Sequence, residues 1–224
     1  MDALIFDFDG VVVDSEPIHL MGFRRVLAGE DLTISEEDYY DKYLGFDDHD
    51  CFEAVGRNTG REFTEARIAE MTTAKSDIVR QAFAQSIEAL PGAVALIQAA
   101  HNDGIPLAIC SGALREEIEL AARTVGVPDV FAVIVAARDV RNGKPDPEGY
   151  VLAARRLAEQ CGRAISLDRC VVVEDSPAGI AAAKSAAMSV LAVTTTYPGK
   201  ALGQADRIVD SLAEVTPASL DELL

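Results

Sequence analysis

The sequence lacks a long apolar segment, a closely spaced cysteine pair and an excess of basic residues. None of its apolar runs approaches the roughly 18 residues that span a bilayer. Its first ten residues include Asp2, Asp7 and Asp9, where a signal peptide has basic residues followed by an uninterrupted apolar stretch. We therefore expect neither export nor a membrane span, and we predict a cytoplasmic protein.

The four cysteines are far apart and form no CxxC motif; they are Cys51, Cys110, Cys161 and Cys170. This spacing argues against a disulfide framework and against a structural zinc site. The net charge of −17 argues against sequence-independent binding to nucleic acid or to an anionic membrane, because both need a basic face. A phosphorylated substrate would then need local cations or a bound metal. We expect a monomer or a weak homodimer.

Six short apolar runs are bounded by turn residues, which is typical of strands buried on both faces of a parallel sheet. The runs cover residues 3–8, 106–110, 131–137, 170–173, 189–193 and 207–209. Helical patterns lie between them at residues 93–103, 116–125, 147–160 and 178–187. This alternation predicts an α/β fold with a doubly wound parallel sheet, whose functional groups gather beyond the carboxyl ends of the strands.

One interval has helical patterns only. Residues 16–87 contain no segment with a strand pattern, and an amphipathic pattern of helical spacing runs from Thr64 to about Ser86. We interpret residues 16–87 as an inserted all-helical domain. Residues 1–15 and 88–224 then form the sheet domain.

Two acidic pairs follow predicted strands. Asp7 and Asp9 lie two residues apart, so a continuing strand would direct both carboxylates to one side. This arrangement favours a metal site or a nucleophile beside a general acid, although an acidic turn has the same pattern. Glu174 and Asp175 follow the fourth apolar run, and their oxygen ligands indicate Mg2+. The alternative is that Asp175 caps the next helix.

Two further polar groups lie at strand ends or turns. Ser111 follows the second apolar run, and its hydroxyl with nearby backbone N–H groups suits an anion; a helix N-cap is the alternative. Lys144 precedes Pro145 and Pro147, which hold it on a rigid bend. An ammonium held in this way is a good partner for phosphate, and a surface lysine in a turn is the alternative.

These four motifs occur in the order of the signature motifs of the haloacid-dehalogenase-like superfamily, and the sequence resembles that superfamily over essentially its whole length. The resemblance is carried by DFDGVVVDS from Asp7, GKPDP from Gly143 and VEDSPAGI from Val173. It extends to the helical insertion after the first motif. The small helical cap and His19 resemble the β-phosphoglucomutase and phosphoglycolate phosphatase group.

The resemblance implies a Mg2+-dependent phosphohydrolase with a Rossmann-like core that acts on a small phosphorylated metabolite. Asp7 would form an aspartyl-phosphate, and Asp9 would protonate the leaving oxygen and then activate water. Mg2+ would be held by Asp7, the backbone carbonyl of Asp9 and Asp175, with Glu174 direct or through water. The phosphoryl oxygens would be bound by four residues, namely Ser111, Gly112, Ala113 and Lys144.

The same resemblance separates branches of the superfamily. The metal-free dehalogenases lack a counterpart of Asp9, and the phosphonate-cleaving members need a cap lysine that residues 44–50 do not supply. A phosphomutase is the first alternative, and a catalytically inactive phospho-ligand-binding or regulatory protein is the second. The intact Asp7, Asp9, Lys144 and Asp175 argue against the inactive protein.

Four residues of the predicted cap are implied to contact substrate by resemblance to the mutases; they are His19, Gly45, Asp48 and Lys75. Asp48 falls where mutases carry an arginine for the second phosphate. Asp47, Asp48 and Asp50 lie in a predicted loop, and a carboxylate about 4 Å from a phosphate oxygen costs roughly 4 kcal/mol at an intermediate dielectric. We therefore expect a phosphatase that rejects a bisphosphate intermediate, unless Arg57, Arg61 or Lys75 folds back beside these carboxylates.

Overall fold

The structure, a computed structural model, describes all 224 residues, and the chain folds into two compact units. The sheet unit comprises Met1–Asp14 and Ile87–Leu224, and the helical unit comprises Ser15–Ser86. These bounds lie one residue from those of the predicted domains. The role of the helical unit as a cap stays a prediction.

The sheet unit contains six strands, and all neighbouring strands pair in parallel. They are β1 (Ala3–Phe6), β2 (Leu107–Cys110), β3 (Val133–Val135), β4 (Cys170–Glu174), β5 (Ser189–Val193) and β6 (Arg207–Val209). Their order in the sheet is β3-β2-β1-β4-β5-β6. The chain starts at the centre, moves outward to one edge and returns beside β1 to build the other half. The predicted doubly wound α/β class is confirmed.

Nine α-helices complete the two units, four in the helical unit and five in the sheet unit. They are α1 (Glu16–Ala28), α2 (Glu36–Asp38), α3 (Asp48–Asn58), α4 (Glu65–Gln85), α5 (Ala93–Asn102), α6 (Arg115–Thr124), α7 (Glu148–Cys161), α8 (Pro177–Ser185) and α9 (Pro217–Asp221). A π-helical turn, Tyr39–Tyr43, continues α2. Single 3-10 turns occur at Ala137–Asp139, Leu167–Arg169, Gly199–Ala201 and Leu212–Glu214. No helix combines the length and apolarity that crossing a membrane requires.

Local chemistry explains where several helices begin and end. The Thr64 side chain accepts a hydrogen bond from the backbone N–H of Arg67, which caps α4. Ser176 caps α8 in the same way, and Pro177 occupies the first turn, where its missing N–H is not needed. Gly162 ends α7 with a φ of 64°, a left-handed conformation that glycine adopts without strain.

Helices cover both faces of the sheet. On one face, Tyr150 and Leu157 of α7 and Ile180 of α8 join a buried cluster with alternate residues of the central strands. On the other face, α5 packs on β2. Because both faces are covered, polar residues within the strands occur only at strand ends, as at Glu174, Ser189 and Arg207.

The helical unit has a core of its own. Its centre is an edge-to-face contact between Phe23 of α1 and Phe52 of α3, with ring centroids 5.1 Å apart. Ile68 and Met71 of α4 are buried beside them, as the helical pattern from Thr64 predicted. These aromatic, isoleucine and methionine side chains form one buried cluster.

Three predicted boundaries were wrong. The first strand ends at Phe6 and not at residue 8, because the chain turns at Asp7–Gly10. The third strand is limited to Val133–Val135 of the predicted residues 131–137. Residues 44–50 are not one loop, because Asp47 caps α3 by accepting from the Asp50 N–H at 2.8 Å and the helix begins at Asp48.

Candidate active site

Four chain segments bring polar side chains together at the carboxyl ends of the strands. Asp7 follows β1, Ser111 follows β2, Lys144 lies between β3 and α7, and Glu174 ends β4. The strand order β3-β2-β1-β4 makes these segments neighbours, and β1 beside β4 is the point at which the order of the sheet reverses. Doubly wound sheets bind ligands at this point.

Asp7 and Asp9 do not lie on a strand, although both remain at its end. The Asp7 N–H still donates to the Val173 carbonyl at 2.9 Å, so the backbone of this candidate nucleophile remains hydrogen-bonded to β4. Asp9 instead pairs with Val13 in an isolated bridge, and its Oδ2 accepts from the Ser111 hydroxyl at 3.3 Å. The expectation that strand alternation orients both carboxylates was wrong; a tight turn does so.

Gly10 makes this turn possible. Its φ is 72°, and a Cβ at this position would overlap the Asp175 carboxylate and the Thr196 hydroxyl. The Thr195 hydroxyl donates to the Gly10 carbonyl and fastens the turn from the loop after β5. A glycine is therefore required both for the backbone angle and for the close approach of the acidic group.

Lys144 is a partly buried cation between two carboxylates. Its Nζ lies 2.9 Å from Asp7 Oδ1 and 2.6 Å from Glu174 Oε1. The loop that carries it is fixed by Glu148, whose carboxylate accepts the backbone N–H groups of Arg141 and Asn142, each at 3.1 Å. The interpretation of Lys144 as a surface lysine was wrong, since it contacts the centre of the site.

Glu174 has both carboxylate oxygens fully engaged, and its side chain is completely buried. Oε1 accepts from Lys144 and from the Tyr150 hydroxyl at 2.8 Å. Oε2 accepts from the backbone N–H groups of Asp175 and Ser176 and from the Ser176 hydroxyl, each at 2.9 Å. Five donors around one carboxylate indicate a group that holds its neighbours in place.

Asp175 is buried and does not cap the following helix, because Ser176 is the cap. Thr196 donates a side-chain hydrogen bond to it. Single oxygens of Asp7, Glu174 and Asp175 lie within 4.8 Å of one another. The alternative that Asp175 is a helix cap was therefore wrong, and the three predicted acidic residues form one cluster.

The cluster carries more negative than positive charge. Burial raises the pKa of Asp7 to about 7. Lys144 lowers this pKa and so offsets the loss of hydration only in part, whereas the negative charge of Glu174 raises it further. Burial and the neighbouring Glu174 and Asp7 raise the pKa of Asp175 well above its ordinary value. Although burial acts against its charge too, Lys144 holds the pKa of Glu174 below its ordinary value. One lysine thus neutralises Glu174 and leaves Asp7 and Asp175 short of positive charge.

This imbalance and the donor set fit a hard divalent cation. The available ligands are carboxylate oxygens of Asp7 and Asp175, which Mg2+ prefers. A cation between them would replace the missing positive charge and return both groups to their ionised forms. Glu174 fits less well as a direct ligand, because its oxygens already accept five hydrogen bonds.

The turn after β2 is arranged differently from a helix cap. Ser111 Oγ accepts from the Ala113 N–H at 3.0 Å, whereas α6 begins only at Arg115 after the N-cap residue Leu114. The N-cap interpretation of Ser111 was therefore wrong. Gly112 has open space where a Cβ would be, so a ligand can approach its backbone. The predicted group of Ser111, Gly112 and Ala113 lies in one turn, with the Ala113 N–H already engaged.

Three of the four cap residues predicted from resemblance meet within the helical unit. Lys75 of α4 is 2% exposed, forms an ion pair with Asp48 and lies 2.9 Å from His19 Nδ1. Its Nζ also lies 4.2 Å from the centroid of the Phe23 ring. Gly45, in the turn before α3, has a φ of 81°. Lys75 thus lies beside Asp48 and neutralises it, which is the exception that the sequence analysis allowed for these carboxylates.

Two site residues were missed by the sequence analysis. Tyr150 lies in the first turn of α7, where a tyrosine followed by apolar residues is typical of a core position. Thr196 lies in the threonine run after β5, and this run was the available signal, since it follows a buried strand at the same edge of the sheet. Nothing in the local sequence of Tyr150 distinguishes it from a packing residue.

Comparisons with known proteins agree with this geometry. A family profile described as haloacid dehalogenase-like hydrolase matches residues 1–187. Protein CbbY of Rhodobacter capsulatus is 30% identical over 230 residues, covering 100% of this chain and 99% of that protein. The phosphorylated carbohydrates phosphatase of Thermotoga maritima is 30% identical over 214 residues, covering 93% of each. The structure of a CbbY variant from Rhodobacter sphaeroides in complex with xylulose-(1,5)bisphosphate has a TM-score of 0.88 at 27% identity, with 99% of both chains covered.

The contact between Gly179 and Glu174 generates a prediction. A Cβ at Gly179 of α8 would overlap the Glu174 carboxylate, so we expect Gly179→Ala to displace it and to lower stability by about 1–3 kcal/mol despite the better helix propensity of alanine. Catalytic activity should fall with it. Gly203→Ala, whose Cβ would meet only the Lys200 carbonyl at 3.9 Å, is the control. Equal urea midpoints for the two variants would contradict the role of Gly179.

Proposed function

Because the chain belongs to the haloacid dehalogenase-like hydrolase family, we propose that it is a Mg2+-dependent phosphohydrolase that forms an aspartyl-phosphate on Asp7. Its substrate is a small phosphorylated metabolite. The observation that carries the proposal is the buried cluster of Asp7, Glu174 and Asp175 around Lys144, with its shortage of positive charge. The predictions of this family and of an enzyme of the phosphatase type are confirmed by the family match and by the similarity to a named phosphatase.

In the first step a carboxylate oxygen of Asp7 attacks phosphorus, and the bond from phosphorus to the ester oxygen breaks. Asp9 gives a proton to that leaving oxygen. In the second step Asp9 takes a proton from water, the water oxygen attacks phosphorus, and inorganic phosphate leaves with Asp7 restored. Covalent catalysis divides one difficult displacement into two easier ones. The Ser111 hydroxyl, 3.3 Å from Asp9 Oδ2, supports the orientation of this acid and base.

Charge neutralisation is what permits Asp7 to approach a phosphate. Lys144 lies 2.9 Å from Asp7 Oδ1, so its ammonium is beside the point where phosphoryl oxygens arrive. The open backbone at Gly112 provides a hydrogen-bond donor from the neighbouring strand end, and the Ser111 hydroxyl would turn from Asp9 to donate to a phosphoryl oxygen. Such groups are held in place by the fold before substrate binds, which makes them effective in stabilising developing charge.

Asp7, Asp175 and the backbone carbonyl of Asp9 would hold the Mg2+. When bound, the ion supplies positive charge that offsets the repulsion between carboxylate and phosphate. The hydrogen bonds around Glu174 support contact with the ion through water, since both of its oxygens are already used.

The substrate class is inferred from the relatives and from the helical unit. The T. maritima relative is named for phosphorylated carbohydrates, and the R. sphaeroides CbbY variant was crystallised with a sugar bisphosphate. In this chain Lys75 is paired with Asp48, so a second phosphate would have to compete with a carboxylate for that lysine. Lys75 is paired with both Asp48 and His19, which supports a substrate with one phosphate group. We infer a carbohydrate or polyol monophosphate.

The nucleophile assignment predicts that Asp7→Asn abolishes phosphate release, because an amide cannot form the acyl phosphate. Release of phosphate from an aryl phosphate and from sugar monophosphates measures it. Asp129→Asn, at an exposed position, is the matched control and should retain full activity. Turnover near that of the wild type in Asp7→Asn would remove Asp7 as the nucleophile.

The same variant also bears on stability. The pKa of Asp7 is raised in the fold above its ordinary value of 3.8 to about 7, so ionisation of Asp7 lowers stability as the pH rises through this range. Without metal, Asp7→Asn should therefore melt no lower than the wild type at pH 8. A large loss of thermal stability there would contradict the charge imbalance of the cluster.

A further prediction concerns the metal. Chelation should stop phosphate release and Mg2+ should restore it, while excess Ca2+ should inhibit, because Ca2+ accepts longer bonds and more ligands and would misplace the nucleophile. Mg2+ should also raise the melting temperature, since it binds the folded state. Full activity in a chelator would point to metal-free chemistry.

The helical unit generates a prediction that separates phosphatase from phosphomutase. With β-glucose 1-phosphate and a bisphosphate activator, we expect free phosphate to exceed glucose 6-phosphate. Asp48→Asn frees Lys75 and should lower the KM for a sugar bisphosphate relative to a monophosphate, whereas Asp50→Asn, at an exposed position of α3, should not. Efficient isomerisation by the wild type would overturn the phosphatase assignment in favour of the mutase.

A further inference from the structure

We propose that Tyr150 is a positioning residue whose hydroxyl sets the place of the Lys144 ammonium by sharing a carboxylate oxygen with it. The shared atom is Oε1 of Glu174. The inference rests on the proposed function to the extent that Lys144 binds phosphoryl oxygens. It assigns a part in that binding to a side chain that touches neither the substrate nor the metal ligands Asp7 and Asp175.

The three groups form a compact buried arrangement. Tyr150 is 1% exposed, and its hydroxyl donates to Glu174 Oε1 at 2.8 Å. Lys144 Nζ donates to the same oxygen at 2.6 Å. The ammonium also lies 5.2 Å from the centroid of the Tyr150 ring, within the range of a cation–π contact. Tyr150 therefore contacts Lys144 through its ring and competes with it through its hydroxyl.

The competition matters because the Glu174 carboxylate cannot rotate. Its Oε2 is held by the N–H groups of Asp175 and Ser176 and by the Ser176 hydroxyl, so Oε1 is the Glu174 oxygen that Lys144 contacts. A second donor on Oε1 reduces the charge that this atom presents to the ammonium. Burial raises the pKa of Tyr150 well above its ordinary value, so the hydroxyl remains a donor at neutral pH.

The effect of the Tyr150 hydroxyl on the position of Lys144 depends on Asp7, the second carboxylate near the ammonium. Nζ is divided between Glu174 Oε1 and Asp7 Oδ1, the latter 2.9 Å away. Without the tyrosine hydroxyl, Oε1 would attract the ammonium more strongly and draw it from Asp7, where the phosphoryl group arrives. Phosphate binding and transition-state stabilisation should weaken together, although Lys144 and Glu174 are unchanged.

A packing role alone predicts a different result. Tyr150 belongs to the core cluster on its face of the sheet, and Tyr150→Phe preserves the ring, its packing and its cation–π contact. Tyr39→Phe is the matched control, since Tyr39 is 4% exposed and its hydroxyl donates to a carboxylate oxygen of Glu16 at 2.6 Å within the helical unit. Both variants lose a hydrogen bond from a buried tyrosine to a glutamate, and only one lies beside Lys144.

The experiment measures the binding of inorganic phosphate by calorimetry in Mg2+, the kcat and KM for an aryl phosphate, and the melting temperature. Tyr150→Phe should weaken phosphate binding and lower kcat/KM, each about tenfold, the size expected for one hydrogen bond to a charged group. Tyr39→Phe should lower only the melting temperature. Unchanged phosphate affinity in Tyr150→Phe would overturn the proposal.

A double-mutant cycle tests whether Tyr150 acts through Lys144. In Lys144→Met, the added Tyr150→Phe should cause no further loss of phosphate affinity, because the group that it positions is gone. Losses that multiply would overturn the proposal and leave a packing role. A wild type that binds phosphate and releases none from any ester would instead contradict the proposed hydrolysis, and the binding data would still report on Tyr150.

Discussion

The salt bridge between Lys144 and Glu174 is the contact on which the arrangement of the site depends. Glu174 is completely buried, and removing a carboxylate from water is costly unless a cation and hydrogen bonds replace its hydration. Here Lys144, one tyrosine hydroxyl, one serine hydroxyl and two backbone N–H groups do so. These donors come from the loop before α7, from α7 itself and from the start of α8, so satisfying one charge fixes three segments of the chain.

The same requirement explains the small residues near the site. The carboxylate of Glu174 approaches α8 so closely that only glycine fits at position 179, and Asp175 approaches Gly10 in the same manner. Both carboxylates are buried and have little contact with water. Their charge must be balanced within the protein, and the raised pKa of Asp7 and Asp175 shows that the balance is incomplete without a further cation.

The helical unit also contains a lysine paired with a carboxylate, but there the two charges balance. Lys75 is as buried as the acidic residues of the sheet unit, and it is paired with Asp48 and in contact with His19 and Phe23. A buried lysine that already has a carboxylate partner offers little to a second anion. The two lysines thus differ in what they neutralise. Lys144 leaves Asp7 and Asp175 short of positive charge, whereas Lys75 neutralises Asp48.

The sequence by itself determined the fold class and placed four candidate segments at one edge of the sheet, because strand ends of a parallel sheet must meet there. The predicted limits of the helical insertion lie one residue from those of the compact helical unit. It identified Asp7, Ser111, Lys144 and Asp175 as candidates through their positions after apolar runs, and their roles were inferred by resemblance. Only the tertiary structure decided that Glu174 is saturated by five donors, that Tyr150 is one of them and that Lys75 is paired with Asp48. The contacts of Glu174 with Lys144 and Tyr150, and of Lys75 with Asp48, join residues 24 to 30 positions apart, and local patterns contain no information about which distant side chains meet.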